Sequence, residues 1–168
     1  MSPLVARLGR VNEAELLTDR ERRAWYGLLT MQEDLHRHLS RELIRDCSIT
    51  LSDFAVLSTL QMSGRAAMRV HEVRAAVRWE KTRLTHQISR MTSRGLLARI
   101  RCDEDRRGVW IALTDEGRAA IEAALPGHVA RVRAMFLDVV PPKHLEILAS
   151  ISESVLEGLE EDADDTGS

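Results

Sequence analysis

Apolar residues recur at helical spacing through Trp25, Leu28, Leu29, Leu35, Leu39 and Leu43, and this pattern predicts one amphipathic helix from Thr18 to about Cys47. Thr18-Asp19-Arg20-Glu21 supplies its start, with Thr18 as N-cap and Glu21 at the capping-box position three residues on. About eight turns at 3.6 residues each is a length typical of a dimer or a bundle. A second start signal falls at Ser52-Asp53, and Phe54, Val56, Leu57 and Leu60 predict a short buried helix ending near Ser63-Gly64. Val70, Val73 and Ala76 predict a third, short helix, and a turn at Val77-Arg78-Trp79 leads to a fourth from about Glu80 to Arg94. Along the fourth, Leu84, Ile88 and Met91 share one narrow sector, while Thr82, His86, Ser89 and Ser93 occupy the opposite side.

Gly95 suits a left-handed stop, after which the period changes. Leu97 to Arg101 and Val109 to Leu113 are strand-sized and flank a polar loop, Cys102 to Gly108, predicting a β-hairpin with a charged tip. Thr114 caps a long helix with Asp115 and Glu116 in its first turn; Pro126-Gly127 is expected to kink or interrupt it, and Pro141-Pro142 to end it. Leu145, Leu148, Ile151, Val155, Leu156 and Leu159 predict a last amphipathic helix running into an acidic, disordered tail. The organisation read from this is an N-terminal arm (1–17), a dimerisation helix (18–50), a two-helix and hairpin lobe (51–113), C-terminal dimerisation helices (114–160) and the tail (161–168).

Composition narrows the class. The 168 residues are 44% apolar and include two cysteines, too few for a disulfide scaffold, and no stretch approaches the ~18 apolar residues of a membrane span. The N-terminus has no apolar core of a signal peptide, so a cytoplasmic location is expected. No nucleophile and base pair, paired carboxylates in an apolar setting or phosphate-binding glycine loop suggests an enzyme, and no cofactor is implied. The net charge of −2 argues against a nucleic-acid partner only until it is located: residues 65–107 hold twelve Lys or Arg against five acids, whereas no Lys or Arg follows Lys143.

A short bracing helix, a tight turn, a helix with a basic and hydroxyl-rich outer face and then a hairpin make a mainly α winged helix-turn-helix with a small β-hairpin wing. The outer face carries donors and acceptors for duplex DNA. Arg83 can offer a guanine O6/N7 pair two hydrogen bonds, Thr82 and Thr85 reach phosphate or a thymine methyl, Lys81 and His86 lie beside them, and Arg90 suits the phosphate backbone. Trp79, at the turn, reads as a core plug.

Arg94-Gly95-Leu96-Leu97-Ala98-Arg99, Asp103-Glu104-Asp105-Arg106-Arg107-Gly108 and Leu113-Thr114-Asp115-Glu116-Gly117, in that order and spacing, resemble the MarR family of winged-helix regulators. The likeness covers about residues 18 to 160, and the stretch Trp79 to Gln87 is similar to the recognition helix of actinobacterial members. The resemblance implies an obligate homodimer on a palindromic operator, repression of the promoter it covers, and a wing in which Asp105 orients Arg107 into the minor groove with Arg106 beside it. It also implies a small aromatic or phenolic effector in a cleft whose lining, by element position, would include Trp25, Leu28, Leu35 and Leu57. Urate-responsive relatives carry an aspartate where this chain has Ala55, which counts against urate. Two alternatives accompany this reading. One is a winged-helix module that binds protein instead of specific DNA. The other is redox sensing through Cys102, set among Arg99, Arg101 and Arg106, or through Cys47. His36, His38, His71, His128 and His144 form no metal-binding spacing, so no metal is expected.

Overall fold

The computed structural model describes residues 16–101 and 109–165. Helix α1 (Asp19–Cys47) opens on the expected capping box: the Thr18 hydroxyl accepts the Glu21 N–H at 3.3 Å, and a Glu21 carboxylate oxygen accepts the Thr18 N–H at 2.7 Å. Helix α2 (Leu51–Met62) begins earlier than Ser52-Asp53 suggests. Its cap is Thr50, and Asp53 is the third helical residue of a second capping box, accepting the Thr50 N–H at 2.8 Å. An aspartate serves equally as N-cap or as the acid three residues on, and the Thr50 hydroxyl settles which.

The chain then passes through β1 (Met68–Arg69) into α3 (Val70–Val77). Glu72 fixes this junction by accepting the Arg69 N–H at 2.6 Å and the Arg65 guanidinium at 2.8 Å, contacts that hold its carboxyl below the usual range, Arg65 contributing most. Arg78, in the left-handed region at φ 53°, makes the turn into α4 (Lys81–Ser93), and Gly95 at φ 75° makes the turn out. Strands β2 (Leu97–Arg101) and β3 (Val109–Leu113) form the expected antiparallel hairpin, Leu97 facing Leu113 and Arg99 facing Ile111. The sheet has a third strand that the sequence pattern does not announce: β1 pairs with the other edge of β3, giving the order β1-β3-β2. Two residues are too few to display a period of two.

Helix α5 (Asp115–Val132) runs through Pro126 without the expected interruption and widens only at a π-helical turn, Arg133–Leu137. Pro126 and Glu122, whose carbonyl loses its helical donor there, are both exposed, so water can satisfy the freed group. Helix α6 (Pro142–Asp165) carries helical backbone past position 161, where the acidic composition predicts a disordered tail. Glu160, Glu161 and Ala163 are strong helix formers and extend a helix already nucleated.

The core lies between α2, α3, α4, the sheet and the first half of α5. Val56, Leu57, Val73, Leu84, Met91 and Ile111 are wholly inaccessible there. Burying each of the larger ones stabilises the fold by about 1.5 to 3 kcal/mol. Leu43 is the sole buried residue of α1, and no described residue of α6 is buried.

Candidate nucleic-acid interface

Helix α4 separates its two faces as its sequence demands. Leu84, Ile88 and Met91 are buried, and Lys81, Thr82, Arg83, Thr85, His86 and Ser89 stand exposed together on the outside. Trp79 packs partly buried against the core, as expected, and also has a second role. The Arg83 guanidinium lies 4.2 Å from its ring centroid, a cation–π contact that narrows the arginine's rotamers beside the start of the helix. The Thr85 hydroxyl donates to the Lys81 carbonyl at 2.8 Å, leaving its oxygen lone pairs to accept.

Between α4, the start of α3 and the sheet lies an open cavity of about 720 Å³. Arg69, Arg74, Lys81 and Arg99 line it, with Thr85 at its side and Ile88 and Ile111 among its apolar walls. Arg99 of β2 donates to the Ser89 hydroxyl at 2.8 Å, tying the wing to the outer face of α4. Arg69, Arg74 and Arg99 belong to the basic stretch of the sequence, but only the fold places them beside α4. Arg106, Arg107, Asp105 and Cys102 lie outside the described residues.

Arg90, expected to suit the phosphate backbone, is engaged by side chains of its own lobe. Its Nη2 donates to Gln87 Oε1 at 2.9 Å, to Asp53 Oδ1 at 3.2 Å and to the Thr50 hydroxyl at 3.2 Å. Asp53, fully buried, also accepts Gln87 Nε2 at 2.6 Å and Arg94 Nη1 at 2.6 Å. Burial alone would raise its carboxyl pKa, but the Thr50 N–H and the Arg94 guanidinium outweigh burial and hold it below the ordinary aspartate value. Thr50-x-x-Asp is the one local signal in the sequence that could have drawn attention to this carboxylate.

Of the four residues expected to line an effector cleft, Leu57 is in the core, Leu35 is half-buried, and Trp25 and Leu28 are about half exposed on α1. Free, half-buried Cys47 instead lines a crevice of about 250 Å³ between α1 and α5. Glu42, Arg131 and His128 share it; the His128 ring stacks 4.1 Å from Phe54, and burial pushes its pKa down. Among the described residues, no three His, Cys, Asp or Glu side chains gather as a metal site, and no helix is long and apolar enough to cross a membrane.

A bracing helix, a left-handed turn, an exposed basic helix and a sheet ending in a hairpin define a winged helix-turn-helix protein. Comparison with known proteins gives its family. The family model described as transcriptional regulator SarA/Rot matches residues 38–124. AbsC, a MarR family transcriptional regulator from Streptomyces coelicolor, is 33% identical, with 86% of this chain and 97% of that one covered and a TM-score of 0.82. Sco3205, a MarR family regulator of the same organism solved in complex with DNA, is 32% identical over 85% of this chain and 89% of that one, with a TM-score of 0.81. PecS, a transcriptional regulator of Dickeya dadantii, is 32% identical over 95 residues, which are 56% of this chain and 55% of PecS. The chain belongs to the MarR family of winged-helix transcriptional regulators.

Proposed function

We propose that this regulator is a cytoplasmic homodimer that binds a pseudo-palindromic DNA operator and represses by covering the promoter. The observation that carries the reading is the exposed face of α4, where Lys81, Thr82, Arg83, Thr85 and His86 stand together beside a cavity lined by Arg69, His71, Arg74 and Arg99 of α3 and the sheet. Arg83, partly preorganised by Trp79, reads bases in the major groove; Lys81, Arg69 and Arg74 meet phosphates. Arg106 and Arg107 of the wing reach the minor groove, with Asp105 orienting Arg107. Two copies place their α4 helices one helical turn, about 34 Å, apart.

Dimerisation is supported by two exposed apolar surfaces, Trp25, Leu28, Leu29 and Met31 on α1 and Ile147, Ile151, Val155 and Leu159 on α6, which a second copy of the chain would cover. An aromatic or phenolic effector would meet Trp25 and Leu28 on α1 and act by changing how the lobes are held.

The test is selection from fragments of the source genome with purified protein, followed by titration of the winning duplex and a scrambled one across salt. The expected result is a clear preference for the selected duplex and a fall of log K with log salt at about −0.9 for each phosphate neutralised. Equal binding of both duplexes overturns sequence-specific regulation and favours a protein-binding role.

A further inference from the structure

On a helical wheel Arg83, Gln87, Arg90 and Arg94 of the α4 segment fall on one stripe, separated by four, three and four residues. By sequence this is a row of three arginines running along the reading helix. In the structure the row is divided. Arg83 lies over Trp79 at the front, while Gln87, Arg90 and Arg94 all turn to the same buried carboxylate of α2.

The division is geometrically complete at Asp53. Its Oδ1 accepts Gln87 Nε2 (2.6 Å) and Arg90 Nη2 (3.2 Å), and its Oδ2 accepts the Thr50 N–H (2.8 Å) and Arg94 Nη1 (2.6 Å). Arg94 Nη2 goes on to the Ser48 carbonyl at 2.6 Å, so the cluster joins the end of α1, the start of α2 and the rear half of α4. The Asp53 side chain is inaccessible, whereas those of Arg90 and Arg94 remain 50% and 37% exposed. The two guanidiniums therefore lie within reach of solvent but are oriented inward by a carboxylate that is itself out of reach of water.

We propose that Asp53 is a positioning residue for DNA discrimination: it fixes the tilt of α4 through Gln87, Arg90 and Arg94 at its end, and withholds Arg90 and Arg94 from phosphate. Phosphate contacts add affinity for any duplex, whereas base reading needs the helix held in one orientation. Removing the carboxylate therefore has two opposite effects. It frees cations for every DNA, and it loosens the geometry that only the preferred DNA exploits. This inference rests on the reading of α4 as the DNA-contacting helix.

The test uses the full chain, the duplex that wild type selects and a scrambled duplex of equal composition, titrated from low to high salt. Asp53→Asn, shown by circular dichroism to be folded, is expected to steepen the salt slope by about 0.9 to 1.8, one step for each arginine released. Its preference for the selected duplex should fall about tenfold, while low-salt binding of the scrambled duplex rises. Arg90→Gln in the wild-type background should leave the slope unchanged, whereas Lys81→Gln should make it shallower by about 0.9. The Asp53→Asn, Arg90→Gln double variant should regain part of the wild-type slope. An unchanged slope and preference in folded Asp53→Asn overturns the proposal, as does an equal loss on both duplexes, the mark of a merely structural role. If Asp53→Asn does not fold, Arg90→Gln decides: a shallower slope places Arg90 on phosphate and overturns the proposal. Should wild type select no duplex, the DNA-binding reading fails, and the proposal with it.

Discussion

In α4 the apolar stripe Leu84, Ile88 and Met91 is closed inside the lobe, whereas in α6 the comparable stripe Ile147, Ile151, Val155 and Leu159 faces outward, each of these four residues more than half exposed. Both helices are amphipathic, and α6 is the longer. The difference is in what is available to cover them. Helix α4 is short and lies between α2 and the sheet, so its inner face meets its own chain; α6 follows the π-turn at Arg133–Leu137, and none of its described residues is part of the core. Amphipathicity thus says that a face is to be covered, and the chain path says by whom.

Five measurements would break or sharpen this contrast. Leu84→Ala should destabilise the lobe by about 2 to 5 kcal/mol in urea unfolding, whatever the protein concentration, because it opens a cavity in a closed core. Val155→Asp should leave the lobe folded but raise the dimer dissociation constant about a hundredfold in analytical ultracentrifugation, from burial of an unpaired charge between copies. An equal effect of both variants on the folded lobe would erase the distinction. On the outer face of α4, Arg83→Ala should weaken binding of the selected duplex by about 1 to 3 kcal/mol and relax base preference, with only the small fall in melting temperature that loss of its contact with Trp79 brings. Thr114→Ala removes the α5 cap, where the hydroxyl accepts the Gly117 N–H at 2.9 Å and donates to the Gly95 carbonyl at 2.6 Å, and should cost about 1 kcal/mol of stability.

The smallest effect concerns pH. Burial lowers the His128 pKa, so below the ordinary histidine value of about 6.5 the unfolded chain takes up a proton that the folded chain resists. Stability should therefore fall from pH 7 toward pH 5, and the fall should be smaller in His128→Phe, measured by denaturant midpoints. Asp53 works in the acid range: its lowered pKa supplies stability above about pH 4 that is lost as pH falls through its folded value.

Much of this was legible in the sequence where the information is local. The caps at Thr18 and Thr114, the left-handed stop at Gly95 and the burial of Leu84, Ile88 and Met91 each depend on residues within a turn or two of one another. The start of α2 was legible to within two residues, since Asp53 suits either of two capping positions. What could not be read was long-range. The β1–β3 pairing joins segments some forty residues apart with only two residues from one of them. Asp53 meets partners 34 to 41 positions away, so Arg90 reads on the helix alone as a cation for phosphate. The exposed face of Lys81 to His86 was legible because the helix determines it; the basic cavity beside it was not, because three elements must meet first.

Thr114 and Gly117 carry a consequence for how the molecule can move. Besides the bond to the Gly95 carbonyl, the Thr114 N–H donates to the Leu96 carbonyl at 3.3 Å, and a Cβ on Gly117 would collide with that same carbonyl oxygen. The first turn of α5 is therefore fused to the segment that leaves the reading helix, with no space or side chain between them to yield. Motion of α5 must carry α4 and the wing along as a single lever. In the proposed dimer, a signal received near α5 would alter the span between the two lobes and leave the shape of each lobe as it was.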